Sequence, residues 1–189
     1  MPTKSQALQI IAEHIDGCKV CPDLCGRTKT VPGYGNVHSP IVLCGEAPGA
    51  DEDAQGLPFV GKAGKLLNNL LRAAGIDRDD VFVLNTIKCR PPRNRTPTEV
   101  ETSNCANFLS AQLKVLRPKV LVLMGTPAVK RFFPDFAGAT ACRGHFYPLA
   151  EPVACQAFVT YHPSFCFHNP SEKLTVVEDF IKVKDYIMT

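Results

Sequence analysis

Four short apolar runs constrain the fold of this chain more than any other feature of its sequence. Each run has the length of a β-strand and is largely apolar on both faces, which is typical of a central parallel strand covered on both sides. The runs are IVLCG (41–45), VFVLN (81–85), VLVLMG (120–125) and AFVTY (157–161). Helical patterns lie between them, and this alternation predicts an α/β fold built on a parallel sheet.

Helix signals are found before, between and after these runs, as apolar residues at helical spacing or as capping sequences. The predicted helices cover residues 4–16, residues 62–74 with a stop at Gly75, a segment from the capping box Thr96-Pro97-Thr98-Glu99 to about residue 116, a short segment from Thr126-Pro127, and a last segment from Asn169-Pro170-Ser171-Glu172. The predicted inner face of the last helix consists of Leu174, Val177, Phe180, Ile181 and Ile187.

Length and composition favour an ordinary globular protein. The chain has 189 residues, 45% of them hydrophobic and 21% charged, with a formal net charge of +3. One domain over residues 1–189 is expected, because no linker or repeat interrupts the pattern. No apolar run reaches the ~18 residues of a transmembrane helix, and polar and acidic residues stand where a signal peptide needs an apolar block. These features predict a cytoplasmic protein that does not bind membranes.

The carboxyl ends of the predicted strands carry the polar groups of a candidate site. In parallel sheets, ligands bind just beyond these ends. The segments there are Gly45-Glu46-Ala47-Pro48-Gly49, Asn85-Thr86, Gly125-Thr126 and His162-Pro163-Ser164. The strand pattern alone therefore predicts that a carboxylate, an amide and an imidazole converge on one rim of the sheet.

The stretch GLPFVGKAG (56–64) is similar to a phosphate-binding P-loop but lacks its essential features. A P-loop leaves a strand directly and carries Ser or Thr after its Lys. Here acidic residues separate the strand from Gly56, and Ala63 follows Lys62. We therefore expect no nucleoside triphosphate. Two interpretations stay open: a loop that merely precedes a helix, or a turn that presents the aromatic face of Phe59.

Nine cysteines are many for a reducing compartment. Cys18 and Cys21 form a C-x-x-C in a loop rich in Cys, Gly and Pro, and Cys89 and Cys105 form a second pair. The quartet fits a zinc site or an iron–sulfur cluster. A trio that includes Cys25, or reduced buried thiols, are the alternatives. The remaining cysteines are expected in or near the core: Cys44, Cys142, Cys155 and Cys166.

The segment KCRPPRNR concentrates positive charge after the predicted strand that ends at Asn85. Its basic residues are Lys88, Arg90, Arg93 and Arg95. A charge run is most often a solvated face. A proline-stiffened basic loop beside a site is also suited to contact a nucleic-acid backbone.

Three blocks together are similar to one known family. GEAPGADEDAQGLPFVGKAGKLLNNLL, LNTIKCRPPRNRTPT and YHPSF resemble the family 4 uracil-DNA glycosylases, and the resemblance covers about residues 15 to 185. It implies a three-layer fold with a central four-stranded parallel sheet flanked by helices. It also implies a [4Fe–4S] cluster on Cys18, Cys21, Cys89 and Cys105, and a monomeric, monofunctional enzyme of base excision repair that removes uracil from DNA and leaves an abasic site.

The resemblance implies roles for the rim residues. Phe59 would stack on a flipped uracil, Asn85 would read its edge, and His162 would donate to uracil O2. Glu46 would orient water or stabilise the sugar cation, Ala47 stands where other glycosylase families place Asp or Asn, and Glu52 would shape the pocket against the thymine methyl group. Each has a plainer alternative. Glu46 and Glu52 could be a capping and a solvated acid, and Asn85 and His162 a turn cap and an ordinary rim histidine.

DNA contact is implied for the basic loop and for Ser164, which would meet a phosphate. The family often inserts a leucine four residues after the histidine as a wedge into the duplex. This chain has Cys166 there, between Phe165 and Phe167, so an aromatic wedge is expected instead. Two rival functions remain at this point, a non-catalytic iron–sulfur module that binds nucleic acid and a P-loop-like NTPase.

Overall fold

A six-stranded mixed sheet forms the centre of the protein in a computed structural model that describes residues 2–189. The strands are β1 (Tyr34–Gly35), β2 (Ile41–Gly45), β3 (Phe82–Asn85), β4 (Val120–Met124), β5 (Phe146–Leu149) and β6 (Cys155–Thr160). Their order across the sheet is β1-β3-β2-β4-β6-β5. The inner four strands are parallel, and the two edge strands are antiparallel to their neighbours.

Helices cover both faces of this sheet. They are α1 (Lys4–Asp16), α2 (Ala50–Gln55), α3 (Lys62–Ala73), α4 (Glu99–Leu116), α5 (Thr126–Phe132), α6 (Ala139–Cys142), α7 (Phe165–His168) and α8 (Glu172–Met188). Short 3₁₀ turns occupy Pro22–Leu24, Arg78–Asp80 and Pro92–Asn94. The predicted α/β fold, with four central parallel strands flanked by helices, is therefore confirmed.

The inner strands are buried on both faces because their residues alternate between two apolar cores. Leu43 belongs to the core that contains Leu67 of α3 and Phe180 of α8. Its neighbour Val42 belongs to the core that contains Leu109 of α4. Each such buried side chain contributes ~1.5–3 kcal/mol of transfer free energy, so the strands need no polar face. The result is a three-layer arrangement.

Two helix details differ from the sequence predictions. Helix α4 begins with Thr98 as its N-cap and Glu101 as the partner in the capping box, two residues later than the predicted cap at Thr96. Helix α8 buries a face rotated from the predicted one, since Leu174 is 72% exposed and Ile181 is 40% exposed. The residues that α8 buries are Val176, Asp179, Phe180 and Val183.

A buried carboxylate explains the rotated face of α8. Asp179 is fully buried and pairs with Arg143 at 2.9 Å, while the Thr160 hydroxyl at the end of β6 donates to it at 2.7 Å. A buried charge is tolerated when it is paired and hydrogen-bonded in this way. The hydrogen bond from Thr160 joins α8 to β6, the strand that leads into the His162 segment.

Candidate active site and thiol cavity

A cavity of about 320 Å³ lies at the carboxyl ends of β2 and β3. It brings together eight of the residues predicted to act on substrate or DNA: Glu46, Ala47, Glu52, Phe59, Asn85, Arg95, His162 and Ser164. The parallel register explains part of this convergence, because Gly45 of β2 pairs with Asn85 of β3. The carboxylate, amide and imidazole expected from the strand pattern do share one rim.

Phe59 forms one wall of the cavity in a strained backbone conformation. Its φ is +55°, and its side chain is only 7% exposed. A Cβ on Gly45 would lie 2.7 Å from the Phe59 ring, and a Cβ on Gly64 would collide with the Phe59 carbonyl. A left-handed Phe is uncommon and persists only where the surroundings hold it. The turn therefore presents the aromatic ring, as one of the two open interpretations of this stretch expected.

Asn85 places an unsatisfied amide oxygen at the cavity. The residue is 1% exposed, and its Oδ1 has no hydrogen-bond partner among residues 2–189. A buried acceptor without a partner is costly and is rare in native proteins. Because Asn85 also lines the cavity, the arrangement is suited to a ligand that donates a hydrogen bond to this oxygen.

His162 lies against Phe59, with ring centroids 5.6 Å apart. The Ser164 backbone N–H is 3.2 Å from His162 Nδ1, and the Ser164 hydroxyl is 2.7 Å from the same atom. A backbone N–H can only donate, so Nδ1 accepts and the ring proton belongs on Nε2. Burial lowers the pKa of His162 from 6.5 to about 4. A neutral imidazole that carries its proton on Nε2 follows for neutral pH.

Glu46 follows β2 directly and is partly buried. Burial raises the pKa of its carboxyl group, and a hydrogen bond from Thr96 acts in the opposite direction. Its backbone carbonyl accepts from the Thr86 hydroxyl at 2.6 Å, which fixes the loop after β2 to the loop after β3. A carboxylate held in this way beside a cavity is a candidate for proton handling.

Glu52 supports the cavity from inside α2. Its carboxylate accepts from the backbone N–H groups of Gly49, Val60 and Gly61 at 3.2, 2.9 and 2.8 Å. The neighbouring Asp53 accepts from the backbone of Thr28 at 3.0 Å. The sequence patterns did not predict this helix. The signal that could have found it is the acidic triplet in a first turn after Gly49.

The basic segment lies along the cavity and contains one correction. Lys88 is 1% exposed, and its ammonium donates to the backbone carbonyl of Asn85 at 2.7 Å. Burial lowers its pKa to about 8. Lys88 therefore does not reach a phosphate, and the prediction that it contacts DNA is wrong.

The three arginines remain at the surface or near it. Arg93 is exposed, and Arg90 donates to the Asn94 side chain at 2.7 Å. Arg95 makes two hydrogen bonds to Glu101, at 2.6 and 2.8 Å. This pair holds the pKa of Glu101 down at about 2. The loop is thereby fixed to the first turn of α4.

The segment after His162 presents two aromatic rings. Phe165 is 37% exposed and stacks on Tyr161, with centroids 4.4 Å apart. Phe167 is 47% exposed, whereas Cys166 between them is fully buried. The cysteine at the wedge position therefore belongs to the core, and the two flanking rings are the groups at the surface.

A second cavity gathers the predicted thiol quartet. Cys18, Cys21, Cys89 and Cys105 all line this space of about 20 Å³, and Cys25 does not. Within residues 2–189 no three His, Cys, Asp or Glu side chains stand close enough to hold a single metal ion. The four thiols of a [4Fe–4S] cluster bind separate irons, so the donor set fits such a cluster better than a lone ion.

Local contacts support that cavity. The Asn104 amide lies 3.5 Å from the Cys21 sulfur, and Arg27 donates to the Cys18 carbonyl at 2.7 Å. Burial raises the pKa of the Cys89 thiol to about 12, and Arg27 opposes this rise. The other cysteines are buried or half-buried, as expected: Cys44, Cys142, Cys155 and Cys166. Over the described part of the chain, no helix is long and apolar enough to cross a membrane.

Comparison with known proteins agrees with this geometry. The family model for the Uracil DNA glycosylase superfamily matches residues 32–183. The type-4 uracil-DNA glycosylase of Thermotoga maritima is 41% identical, with 99% of this chain and 98% of the relative covered. Those of Sulfurisphaera tokodaii and Archaeoglobus fulgidus are 38% and 37% identical and cover 97% and 94% of this chain, or 86% and 92% of the relatives. The chain belongs to the Uracil DNA glycosylase superfamily, among the type-4 uracil-DNA glycosylases.

Proposed function

We propose that this enzyme uses the cavity at the ends of β2 and β3 to bind a uracil flipped out of DNA and to hydrolyse its N-glycosidic bond. The chain is a uracil-DNA glycosylase, an enzyme of base excision repair. The observation that carries the residue assignment is the unpartnered buried oxygen of Asn85, which shares one cavity with the Phe59 ring and the His162 imidazole. Base-modifying enzymes need such a pocket because their target atom is inaccessible in a duplex.

Base selection follows from the hydrogen-bond pattern of an amide. Asn85 Oδ1 accepts from uracil N3–H, and its Nδ2 donates to uracil O4. Cytosine presents an acceptor at N3 and a donor at the adjacent position, so a fixed amide meets it with both groups mismatched. The Phe59 ring stacks on the flipped base. Because Phe59 is buried, its ring is held in the position that this contact needs.

Bond cleavage is assisted by His162. The bond between the sugar C1′ and uracil N1 breaks with its electron pair leaving on the base, and the Nε2–H of His162 donates to uracil O2 as that oxygen gains charge. A neutral donor already in place costs no reorganisation during the reaction, which is the principle of an oxyanion hole. The hydrogen bond from Ser164 to Nδ1 holds the ring in the required tautomer.

Water completes the reaction on the other side of the sugar. Glu46 orients a water molecule and accepts one of its protons while the oxygen bonds to C1′, which yields an abasic site and the uracil anion. The anion takes a proton from solvent to give free uracil, and Glu46 returns its proton to solvent. The partial burial of Glu46 supports this role, because burial raises the pKa of its carboxyl group toward the range of a general base. Ala47 and Glu52 shape the pocket, and the three backbone contacts of Glu52 support a positioning role for it.

DNA contacts are proposed for the loop and helix that flank the cavity. Arg90, Arg93 and Arg95 lie toward phosphates, and Ser164 contacts another. Exposed Phe165, together with Phe167, enters the base stack in place of the flipped nucleotide. Arg95 is hydrogen-bonded to Glu101. It therefore contributes to DNA binding by fixing the loop as well as by supplying positive charge.

A [4Fe–4S] cluster is proposed on Cys18, Cys21, Cys89 and Cys105. When bound, the cluster supplies a covalent crosslink between three separate segments, namely the loop after α1, the loop after β3 and helix α4. Glycosidic hydrolysis is a heterolytic reaction, so it needs no electron from the cluster. Cys89 lies four residues after Asn85, which supports a structural role in placing the basic loop. We also propose that residues 1–189 form a single domain that acts as a monomer.

The test is the release of free uracil from an oligonucleotide with a single uracil, without added metal or nucleotide. We expect release by the wild type and at least a ~100-fold loss in Asn85→Ala, because a buried acceptor that a substrate needs is removed. Asn68→Ala is the matched control, since Asn68 also has an unpartnered amide oxygen but lines a different cavity. Equal release by wild type and Asn85→Ala would overturn the assignment. No release by any cluster-loaded preparation would instead favour the binding module.

A further inference from the structure

Lys88 is the one basic residue of the KCRPPRNR segment that the proposed DNA contacts leave without a role. Its side chain is 1% exposed, and neither of the two salt bridges within residues 2–189 includes it. Burying a charged group without a charged partner is costly, so such a residue needs a compensating interaction. The only hydrogen bond of its ammonium to described residues is to the backbone carbonyl of Asn85, at 2.7 Å.

Lys88 also borders the thiol cavity. Lys88 lines that cavity together with Cys18, Cys21, Cys89 and Cys105. Its backbone carbonyl accepts from the Val31 N–H at 2.8 Å. The residue, which lies beside the thiols, is therefore fixed by its main chain at Val31 and by its side chain at the end of β3.

The charges of Lys88 and of a cluster-loaded thiol cavity also support a link between the two sites. Four thiolates outweigh the positive charge of an oxidised [4Fe–4S] core, so the loaded cavity carries net negative charge. A buried ammonium beside it is attracted strongly, because little water screens the pair. Hydrogen bonds and charges around the sulfurs are also among the factors that set the reduction potential of a cluster.

We propose that Lys88 is a positioning residue that couples the two sites: its ammonium balances the charge of the cluster thiolates and holds the Asn85 carbonyl. Fixing that carbonyl fixes the peptide plane after Asn85, and hence the Cα from which the uracil-reading amide projects. The inference rests on the proposed function and on the proposed cluster, and it explains why a lysine in a basic loop is directed inward.

Lys88→Met in the cluster-loaded, full-length protein tests this coupling. Methionine keeps most of the length and removes both the charge and the donor. We expect uracil release to fall about 10- to 100-fold, mainly in kcat, since the hydrogen bond removed involves a charged donor. We also expect the midpoint potential of the cluster to shift to a more negative value, because a nearby positive charge favours the reduced state. A purely structural role would leave that potential unchanged.

Gln112→Met is the matched control. Gln112 is 2% exposed and donates to the Pro32 carbonyl at 2.7 Å, so it is also a long buried side chain held by a backbone acceptor. We expect it to leave the rate of uracil release and the potential unchanged. An equal loss of release in Gln112→Met would overturn the proposal, and so would an unchanged potential or a rate within threefold of the wild type in Lys88→Met.

Three further results are decisive. If Lys88→Met does not fold, Lys88→Gln replaces it, because glutamine loses the charge but keeps an N–H donor. A negative shift of the cluster midpoint potential in Lys88→Gln supports the proposal, and an unchanged potential overturns it. A wild-type protein without iron and sulfide overturns it as well. A loaded wild type that releases no uracil contradicts the proposed function instead, and the potential of Lys88→Met then decides whether Lys88 balances the cluster charge.

Discussion

Gly45 and Asn85 stand opposite each other at the ends of two parallel strands, and a Cβ on Gly45 would lie 2.5 Å from the Asn85 amide oxygen. The same Cβ would lie 2.7 Å from the Phe59 ring. A glycine at this position therefore lets the amide and the aromatic ring approach the same point. The site therefore requires a residue without a side chain at position 45, and no motif of functional side chains reveals this requirement.

The first prediction is that Gly45→Ala lowers uracil release at least ~100-fold while it destabilises the fold by only ~1–3 kcal/mol, a typical cost of overpacking. The added methyl group displaces the amide and the ring together. Initial rates of uracil release and urea unfolding are the measurements. Gly26→Ala is the control, because a Cβ there meets nothing within 4 Å. Retained activity in a folded Gly45→Ala protein would contradict the close approach.

The second prediction concerns the pH dependence of stability. Burial lowers the pKa of His162 to about 4 from 6.5. Between these two pH values the unfolded chain binds a proton that the folded protein does not, so this histidine makes stability fall as pH decreases from 6.5 to about 4. We expect His162→Gln to flatten that slope in urea unfolding measured across the window. Replacement of the exposed His38 serves as the control. An unchanged slope in His162→Gln would mean that the imidazole is not buried in the folded state.

Third, Glu101→Gln should lower the free energy of unfolding by ~1–3 kcal/mol at pH 7, because it weakens both the N-cap of α4 and a hydrogen-bonded pair with Arg95. The pKa of Glu101 is lowered to about 2. Its contribution is therefore fully present above its usual pKa of 4.5, and is lost as pH falls toward 2. Chemical denaturation at several pH values checks this. The exposed Glu99 supplies the control substitution, and a difference that does not shrink in acid would refute the assignment.

Fourth, Cys89→Ser should lose bound iron and the visible absorption of a cluster, whereas Cys25→Ser should keep both. Cys89 lines the thiol cavity, while Cys25 is exposed and lies outside it. Serine is close to isosteric but is a poor ligand for iron–sulfur clusters. Iron and sulfide analysis of the purified variants decides between the quartet and the alternative trio. Loss of iron in Cys25→Ser, with retention in Cys89→Ser, would favour the trio.

The four central strands and the polar rim at their carboxyl ends could be predicted from the sequence, because apolar runs of strand length fit few structures other than buried parallel strands. Each of the four predicted strands is found with boundaries within two residues, and the order of parallel strands then brings Glu46, Asn85 and His162 together. The edge strands were missed because β1 has only two residues and β5 contains Pro148, so neither has a strong pattern.

The errors arise where tertiary contacts override local preference. A lysine in a basic run is usually solvated, yet Lys88 is buried because a carbonyl and a thiol cavity surround it. An aspartate is usually placed outside, yet Asp179 is inside because Arg143 and Thr160 satisfy it. The acids of α2 act as backbone acceptors for Phe59's turn and for the loop at Thr28. Except for the Asn85 carbonyl, which is three residues from Lys88, the hydrogen-bond partners named here are distant in sequence, so no local pattern predicts these contacts.

The measurement that tests the central claim most directly is uracil release by Asn85→Asp. This change keeps the size and the Oδ1 acceptor and removes the donor to uracil O4. We predict that kcat/KM on single-uracil DNA falls ~100-fold or more, while binding to undamaged DNA stays within threefold of the wild-type value. Uracil release within threefold of wild type would contradict the reading of the uracil edge by Asn85.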